Sequence, residues 1–230
     1  MVNKNDRTLF LRYNMSVNKK LLRIILSGFV ALSSIVVLIV KFFVGLNFYT
    51  GEINPFEWDY MKYFTSLSNF FNGFVFLYIF IVSLKHYHDD DFKFTKKQKL
   101  WVLSATSSVS ITFLITIFVL NFTVPNPVVL YQYEILFFHI INPLVTIVIF
   151  LFLIPGERIT LKESIIGVIP LAIYSFFYTN LVPFRIWDDF YYFTFGGHYW
   201  VAVFVFPSVL GIGFLINWML SFLDRKINKI

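Results

Sequence analysis

Six long apolar runs separated by short polar segments dominate the sequence. Each run is close to or above the length of about 20 residues that a helix needs to cross a hydrocarbon core. Inside lipid, an α-helix satisfies its own backbone polar groups, which other single segments cannot do. We therefore predict six transmembrane helices, at about residues 22–46, 63–84, 100–120, 135–154, 164–184 and 198–223.

The composition supports a membrane protein. Hydrophobic residues make up 58% of the 230 residues and charged residues 14%, whereas soluble domains hold about half and about a quarter. The chain has no cysteine, which excludes disulfides, thiol nucleophiles and Cys-ligated metals. The predicted fold class is all-α and polytopic, with the six helices in one bundle that forms a single domain over residues 1–230.

Basic residues alternate between the predicted loops. Sixteen of the nineteen Lys and Arg residues lie before span one, between spans two and three, between spans four and five, or after span six. The positive-inside rule places that side, and both termini, in the cytoplasm of a plasma-membrane protein. Lys41 lies on the other side and is expected to extend outward from the end of span one. No basic stripe with stacking aromatics is present, which argues against nucleic-acid binding.

Polar residues collect at one predicted depth. Spans two, four and six start on the outer side. Thr65 and His139 therefore lie about one turn below the outer boundary, and His198 opens span six at about the same level. Span five ends there and brings Asn180 to the same level. Midplane positions are mostly Phe, Val, Leu and Ile, except in the Ser- and Thr-rich span three. This distribution argues against a transporter, which would place polar groups at the midplane of several spans.

Span two carries a polar stripe at i, i+3, i+4 and i+7, formed by Thr65, Ser68, Asn69 and Asn72. These positions share one helical face. Such residues often hold neighbouring membrane helices together by hydrogen bonds. Ser and Thr side chains also bond back to their own helix. The stripe could therefore join helices, bond within its own helix or form part of a functional site.

His139 and Asn142 share a face of span four, just before Pro143. A histidine within an apolar run is a functional candidate, although it could equally hydrogen-bond a neighbouring span. His139 could take the proton of the Thr65 hydroxyl and later protonate a leaving alcohol. Asn69 or Asn142 could donate to a developing oxyanion. Asp188 or Asp189, in the last outer loop, could orient the imidazole.

The loop motif HYHDDD at 86–91 combines two histidines with three acids. Histidine at i, i+2 with nearby carboxylates can bind metal, but a hydrated loop explains the motif equally well. We predict no metal site and no cofactor.

Several motifs resemble the androgen-induced-protein family of six-span membrane proteins and its prokaryotic relatives. They are KYFTSLSN at 62–69, HIINPLV at 139–145 and, more loosely, PFRIWDD with the following GGHY. Animal members of that family hydrolyse fatty acid esters of hydroxy fatty acids with an intramembrane Thr and His. The resemblance assigns these roles to Thr65 and His139. The sequence SLSN after the threonine is typical of prokaryotic members, whereas animal members differ there.

The expected function is hydrolysis of a lipid ester, with Thr65 as nucleophile and His139 as base. Ser68, Asn69, Asn142, Asn180, Asp188 and His198 form the expected supporting polar cluster. The substrate is a membrane lipid that enters sideways from the outer leaflet. The alternatives are a protein that binds or transports a lipid or small solute, and a structural partner subunit.

Overall fold

The fold is a bundle of six long helices, as predicted. The computed structural model describes residues 4–47, 50–56, 58–123, 126–191 and 197–228. The first helix begins at Lys4, and the label α1 is used for its apolar part from Asn18 onward. The six helical segments long and apolar enough to cross a membrane are α1 (Asn18–Val44), α2 (Phe64–Lys85), α3 (Lys96–Leu120), α4 (Tyr133–Leu153), α5 (Leu161–Leu181) and α6 (Val203–Ile227).

Consecutive helices run in opposite directions, so the connections between them lie alternately at the two ends of the bundle. We call the end that holds the α2–α3 and α4–α5 connections the basic end, and the opposite one the far end. At the basic end, Thr95 caps α3 and Thr160 caps α5. Each hydroxyl accepts a backbone hydrogen bond from the residue three positions later, whose side chain bonds back. Such capping boxes satisfy the first free amides of a helix.

The predicted boundaries are wrong by several residues in the last two spans. Helix α5 ends at Leu181 and not at 184, because Pro183 has no backbone N–H to continue the helical hydrogen bonds. Helix α6 runs to Ile227 and begins about four residues later than predicted. A short 3-10 turn at Tyr199–Val201 precedes it. His198 therefore lies outside the spanning helix.

Helix α3 lies at the centre of the bundle. Residues 102–112 of this helix are all buried, and the helix packs against parts of α2, α4, α5 and α6. Its hydroxyl groups bond mainly to their own helix: Ser108 donates to the carbonyl of Ser104 at 2.8 Å and Ser110 to that of Thr106 at 2.7 Å. This back-bonding lets a Ser- and Thr-rich helix occupy an apolar interior.

Two buried ion pairs join helices near opposite ends of the bundle. At the basic end, Lys99 Nζ of α3 lies 2.8 Å from Asp224 Oδ2 of α6, and both side chains are at most 1% exposed. Towards the far end, Lys41 Nζ of α1 lies 2.7 Å from Glu134 Oε1 of α4. The prediction that Lys41 extends outward is therefore wrong, because Glu134 supplies a partner inside the bundle.

Arg23 joins three helices at the basic end. Its Nε donates to Ser83 Oγ of α2 at 2.9 Å, and its Nη1 donates to the carbonyl of Leu153 in α4 at 3.2 Å. Its guanidinium also lies 5.2 Å from the ring centre of Phe94. The residue is 4% exposed. These contacts put residues 23, 83 and 153 at about one depth, which gives a common reference level for the three helices.

Candidate functional site

Thr65 and His139 meet between α2 and α4. The Thr65 Oγ1 and His139 Nε2 atoms are 3.3 Å apart, although 74 residues separate them in the chain. Both residues are partly buried. The distance permits a hydrogen bond between hydroxyl and imidazole, and this is the contact that nucleophile and base need.

Thr65 lies in the first turn of α2. The preceding residue, Phe64, begins the helix, and Tyr63 makes no side-chain cap. Instead, the hydroxyl of Tyr191, from the loop before α6, accepts a hydrogen bond from the Phe64 amide at 3.0 Å. Burial raises the pKa of Tyr191 to about 12, so this hydroxyl remains neutral at physiological pH. The α6 side of the bundle thereby fixes the position of the Thr65 turn.

His139 lies on a π-helical turn, Phe137–Ile141. In this register the Asn142 amide donates to the carbonyl of Phe137, and the next donor would be residue 143. That residue is Pro143, which has no N–H. The carbonyl of Phe138 instead accepts a hydrogen bond from Asn69 Nδ2 of α2 at 3.2 Å. The proline thus frees the acceptor through which α2 holds the histidine turn.

Two asparagines extend this contact into α1. Asn142 Nδ2 donates to Asn69 Oδ1 at 3.3 Å and to Ser34 Oγ at 3.2 Å, while its Oδ1 accepts from Ser33 at 2.9 Å. Helix α1 comes close at this level because α2 has Gly73, where a Cβ would lie 2.7 Å from the Cβ of Ser34. The network therefore connects the Thr65–His139 pair to three helices.

The amide groups of this network are already engaged. Asn69 Nδ2 donates to the carbonyls of Thr65 and Phe138, and Asn142 Nδ2 donates to Ser34 and Asn69. An amide nitrogen carries two hydrogens, so neither side chain has one left for an oxyanion. The prediction that either residue is the oxyanion donor does not fit this geometry, and both act as positioning residues.

The acids of the last outer loop do not orient the imidazole. The second ring nitrogen, Nδ1 of His139, is buried and has no hydrogen-bond partner among the described residues. Asp188 is exposed, and Asp189 accepts a hydrogen bond from Tyr178 at 2.7 Å. The expected third member of a triad is therefore not found, and Thr65 and His139 form a two-residue pair.

The other predicted members of the cluster divide into two groups. Ser68 is buried and donates to the carbonyl of Thr65 at 3.1 Å, so it lies beside the pair. Asn180 is exposed and bonds to the carbonyl of Phe176 in its own helix. His198 is also exposed. Neither Asn180 nor His198 joins the network in the part of the chain that the structure describes.

An apolar cavity of about 650 Å³ lies on another side of α2, between α2, α3 and α5. Ser68 reaches it from the turn that holds Thr65, but neither Thr65 nor His139 lines it. Its walls are almost wholly apolar and include Phe64, Leu67, Phe71, Trp101, Ile169 and Ile173.

The HYHDDD loop is anchored by a lysine of α1. Lys20 Nζ donates to the carbonyls of Tyr87 and Asp89 and to Asp90 Oδ1, at 2.5–3.2 Å. The His86 ring stacks on Phe92, with ring centres 4.2 Å apart. These contacts give the loop a structural role in closing the basic end.

Sequence reasoning missed three members of the site. Ser33 and Ser34 interrupt the apolar run of span one, and small polar residues in a membrane helix commonly bond to a neighbouring helix. Tyr191 carried no such signal, because aromatic residues crowd the far-end loops and an interfacial belt explains them equally well.

Comparison with known proteins identifies no relative. No family model, curated protein or solved structure matches the chain.

Proposed function

We propose that the protein is an intramembrane hydrolase that cleaves ester bonds of membrane lipids, with Thr65 as nucleophile and His139 as general base. The observation that carries this proposal is the 3.3 Å contact between Thr65 Oγ1 and His139 Nε2 inside an apolar bundle. The short motifs that resemble the androgen-induced-protein family support the same pair of residues.

In the first step, Thr65 Oγ attacks the acyl carbonyl carbon while His139 Nε2 takes the hydroxyl proton. This requires the neutral tautomer that carries its proton on Nδ1. The tetrahedral intermediate then expels the alcohol, which receives the proton from Nε2. An acyl ester of Thr65 remains, and the imidazole is neutral again.

In the second step, water attacks the acyl-threonine carbonyl and His139 takes a proton from it. The Thr65 oxygen leaves with that proton, and the fatty acid is released. In both steps negative charge develops on the carbonyl oxygen beside the first turn of α2. The positive dipole end of this helix stabilises such charge.

The lipid substrate class follows from the surroundings of the pair. Phe70 and Phe138 pack edge to face beside it, with ring centres 6.4 Å apart. Both rings are buried, so an acyl chain bound beside the pair would contact apolar groups and not water. The charge distribution supports a plasma-membrane location with both termini cytoplasmic, which places the pair in the outer leaflet.

Activity-based labelling tests this proposal. A fluorophosphonate probe should label the purified wild-type protein and not Thr65→Ala or His139→Ala. Thr65→Ser should retain labelling because it keeps the hydroxyl. Thr112→Ala removes a buried hydroxyl that bonds only its own helix, and His198→Ala removes an exposed imidazole, so both should label normally. Labelling that persists in both Thr65→Ala and His139→Ala would falsify the assignment.

A second candidate function is lipid binding without chemistry. The apolar cavity between α2, α3 and α5 favours it, because this space has the dimensions and lining of a ligand pocket but does not include the Thr65–His139 pair. Substitution of Ile173 by Trp would narrow this cavity. Loss of copurified lipid with unchanged fluorophosphonate labelling of this variant would assign the cavity to binding and the pair to a separate role.

A further inference from the structure

A polar seam runs between the two helices that the Lys99–Asp224 ion pair joins. On α3, Thr106 follows Lys99 by seven residues, and on α6, Asn217 precedes Asp224 by seven residues. Seven residues are about two helical turns and return to the same face. Because α3 and α6 run in opposite directions, Thr106 and Asn217 lie at about the same level, roughly 10 Å from the ion pair towards the middle of the bundle. Ser221 lies between Asn217 and Asp224 on α6.

Three oxygen atoms of this seam are buried without a donor. Thr106 Oγ1, Asn217 Oδ1 and Ser221 Oγ have no hydrogen-bond partner among the residues described, and all three residues are 0% exposed. Asn217 Nδ2 does have one, the carbonyl of Gly213 at 2.8 Å. That bond sets the direction of the amide, and its acceptor oxygen faces Gly167 of α5.

The third neighbour of the seam is α5. A Cβ at Gly167 would lie 1.7 Å from Asn217 Oδ1, so only glycine leaves room for this amide. The carbonyl of the same glycine accepts a hydrogen bond from Ser107 of α3 at 3.1 Å. The seam is thus enclosed by α3, α5 and α6, and does not face lipid at this level.

The charge balance selects the chemistry of the ligand. Lys99 and Asp224 neutralise each other, so an added ion would leave a net charge buried in an apolar bundle, which is costly. The seam needs a neutral molecule that donates hydrogen bonds to oxygen. Water fits this requirement, because one buried molecule commonly bonds to about three polar groups that lack other partners.

We propose that the seam between α3 and α6 binds a file of water molecules that leads from the Lys99–Asp224 pair to the middle of the bundle. This site is independent of the hydrolase function, since no seam residue belongs to the Thr65–His139 network. The interface between α3 and α6 is then hydrated from near the basic end as far as Asn217, about halfway through the bundle.

Single cysteines test for this water, and the cysteine-free chain makes the measurement clean. Thr106→Cys and Ser221→Cys place a small thiol in the seam. Ala105→Cys and Ile216→Cys place it at buried apolar positions of the same helices, about 100° around the helix axis from Thr106 and Asn217. Methyl methanethiosulfonate is neutral and reaches all four sites through lipid. Because only the thiolate reacts, and water is needed to form it, we expect roughly tenfold faster modification of the seam thiols. Modification of the seam thiols that is no faster than at positions 105 and 216 overturns the proposal.

Thr106→Val provides a second test that needs no thiol. In a dry seam this change removes an unpaired buried hydroxyl and raises the melting temperature in detergent, because an isosteric apolar group relieves the unmet hydrogen bond. In a hydrated seam it removes a bond to water and lowers the melting temperature. Thr112→Val, which loses a hydroxyl bonded to the carbonyl of Val109 at 2.7 Å, gives the reference decrease. A melting temperature above that of the wild type contradicts the water file.

Discussion

Individual charged residues inside the bundle are paired across helices. Lys99 with Asp224 and Lys41 with Glu134 each join a helix of the first half of the chain to one of the second half. The strength of such a pair lies in the penalty for breaking it, since a lone buried charge has no compensation. These residues therefore control stability more than an exposed ion pair does.

Asp224→Asn tests this point. The amide keeps an oxygen for Asn228, which donates to Asp224 Oδ1 at 2.8 Å, but leaves the Lys99 ammonium buried without a counter-charge. We expect the free energy of unfolding in detergent to fall by about 3–5 kcal/mol.

The control for this change is Asp90→Asn, which affects the exposed pair with Lys20 and should cost less than about 1 kcal/mol. Combining Lys99→Met with Asp224→Leu should restore most of the stability, since an apolar pair needs no counter-charge. Equal stability of Asp224→Asn and wild type would contradict the structural importance of the pair.

At the residue scale, the sequence predicted the pair of the site and three residues that support it, Ser68, Asn69 and Asn142, but not the role of each. Thr65 and His139 were identified from depth and from motif resemblance, and the structure brings them into contact. The oxyanion role of Asn69 and Asn142 and the orienting role of Asp188 do not fit the structure. Hydrogen-bond partners depend on side-chain directions that a sequence does not contain. The midplane interpretation also missed the buried Asn217.

Among the helices, α4 departs most from regular geometry, and this departure creates the site. Its π turn and Pro143 leave the Phe138 carbonyl without a donor from its own helix, and Asn69 of α2 supplies one. π-helical turns often occur at functional positions. Here the irregular turn fixes the depth and orientation of His139 relative to Thr65.

Asn69→Leu should loosen this turn. It leaves the Phe138 carbonyl and one Asn142 hydrogen unpaired, so we expect a loss of about 1–3 kcal/mol in unfolding free energy. Fluorophosphonate labelling of Thr65 should slow as well, because His139 is no longer held. Asn180→Leu replaces an exposed asparagine that bonds its own helix and should change neither quantity. Wild-type labelling and stability in Asn69→Leu would show that the amide does not position the histidine.

Helix existence was predictable from the length of each apolar run, but helix ends were not. The start of α3 carries a recognisable signal, since Thr95 and Gln98 form a capping box. The start of α6 carries no such signal. The polar and aromatic residues from His198 to Trp200 suit the membrane–water interface whether they belong to the helix or to the loop before it. The error at α6 moved His198 into a site to which it does not belong.

For the whole molecule, the structure fixes which loops lie at the same end of the bundle. The excess of Lys and Arg at the basic end predicts a cytoplasmic position for it. Both termini would then lie inside the cell, and the Thr65–His139 pair would face the outer leaflet.

Cysteine labelling in intact cells tests this orientation. Single cysteines at the exposed positions Thr50 and Asp188 of the far end should react with a membrane-impermeant maleimide. Cysteines at Lys19 and Asp89, exposed at the basic end, should react only after permeabilisation. The parent chain contains no cysteine and gives the background. The reverse pattern would invert the topology and place the pair in the inner leaflet.

The self-bonded hydroxyls of α3 have a consequence for biosynthesis. Ser108, Ser110 and Thr112 each bond to a carbonyl of their own helix, so α3 can leave the translocon and enter lipid before α5 and α6 exist. The Lys99 ammonium has its counter-charge on α6. It therefore stays at the level of the lipid headgroups until Asp224 is synthesised. A nascent chain that ends before α6 would therefore keep α3 mobile, and arrival of the last helix would lock it in place.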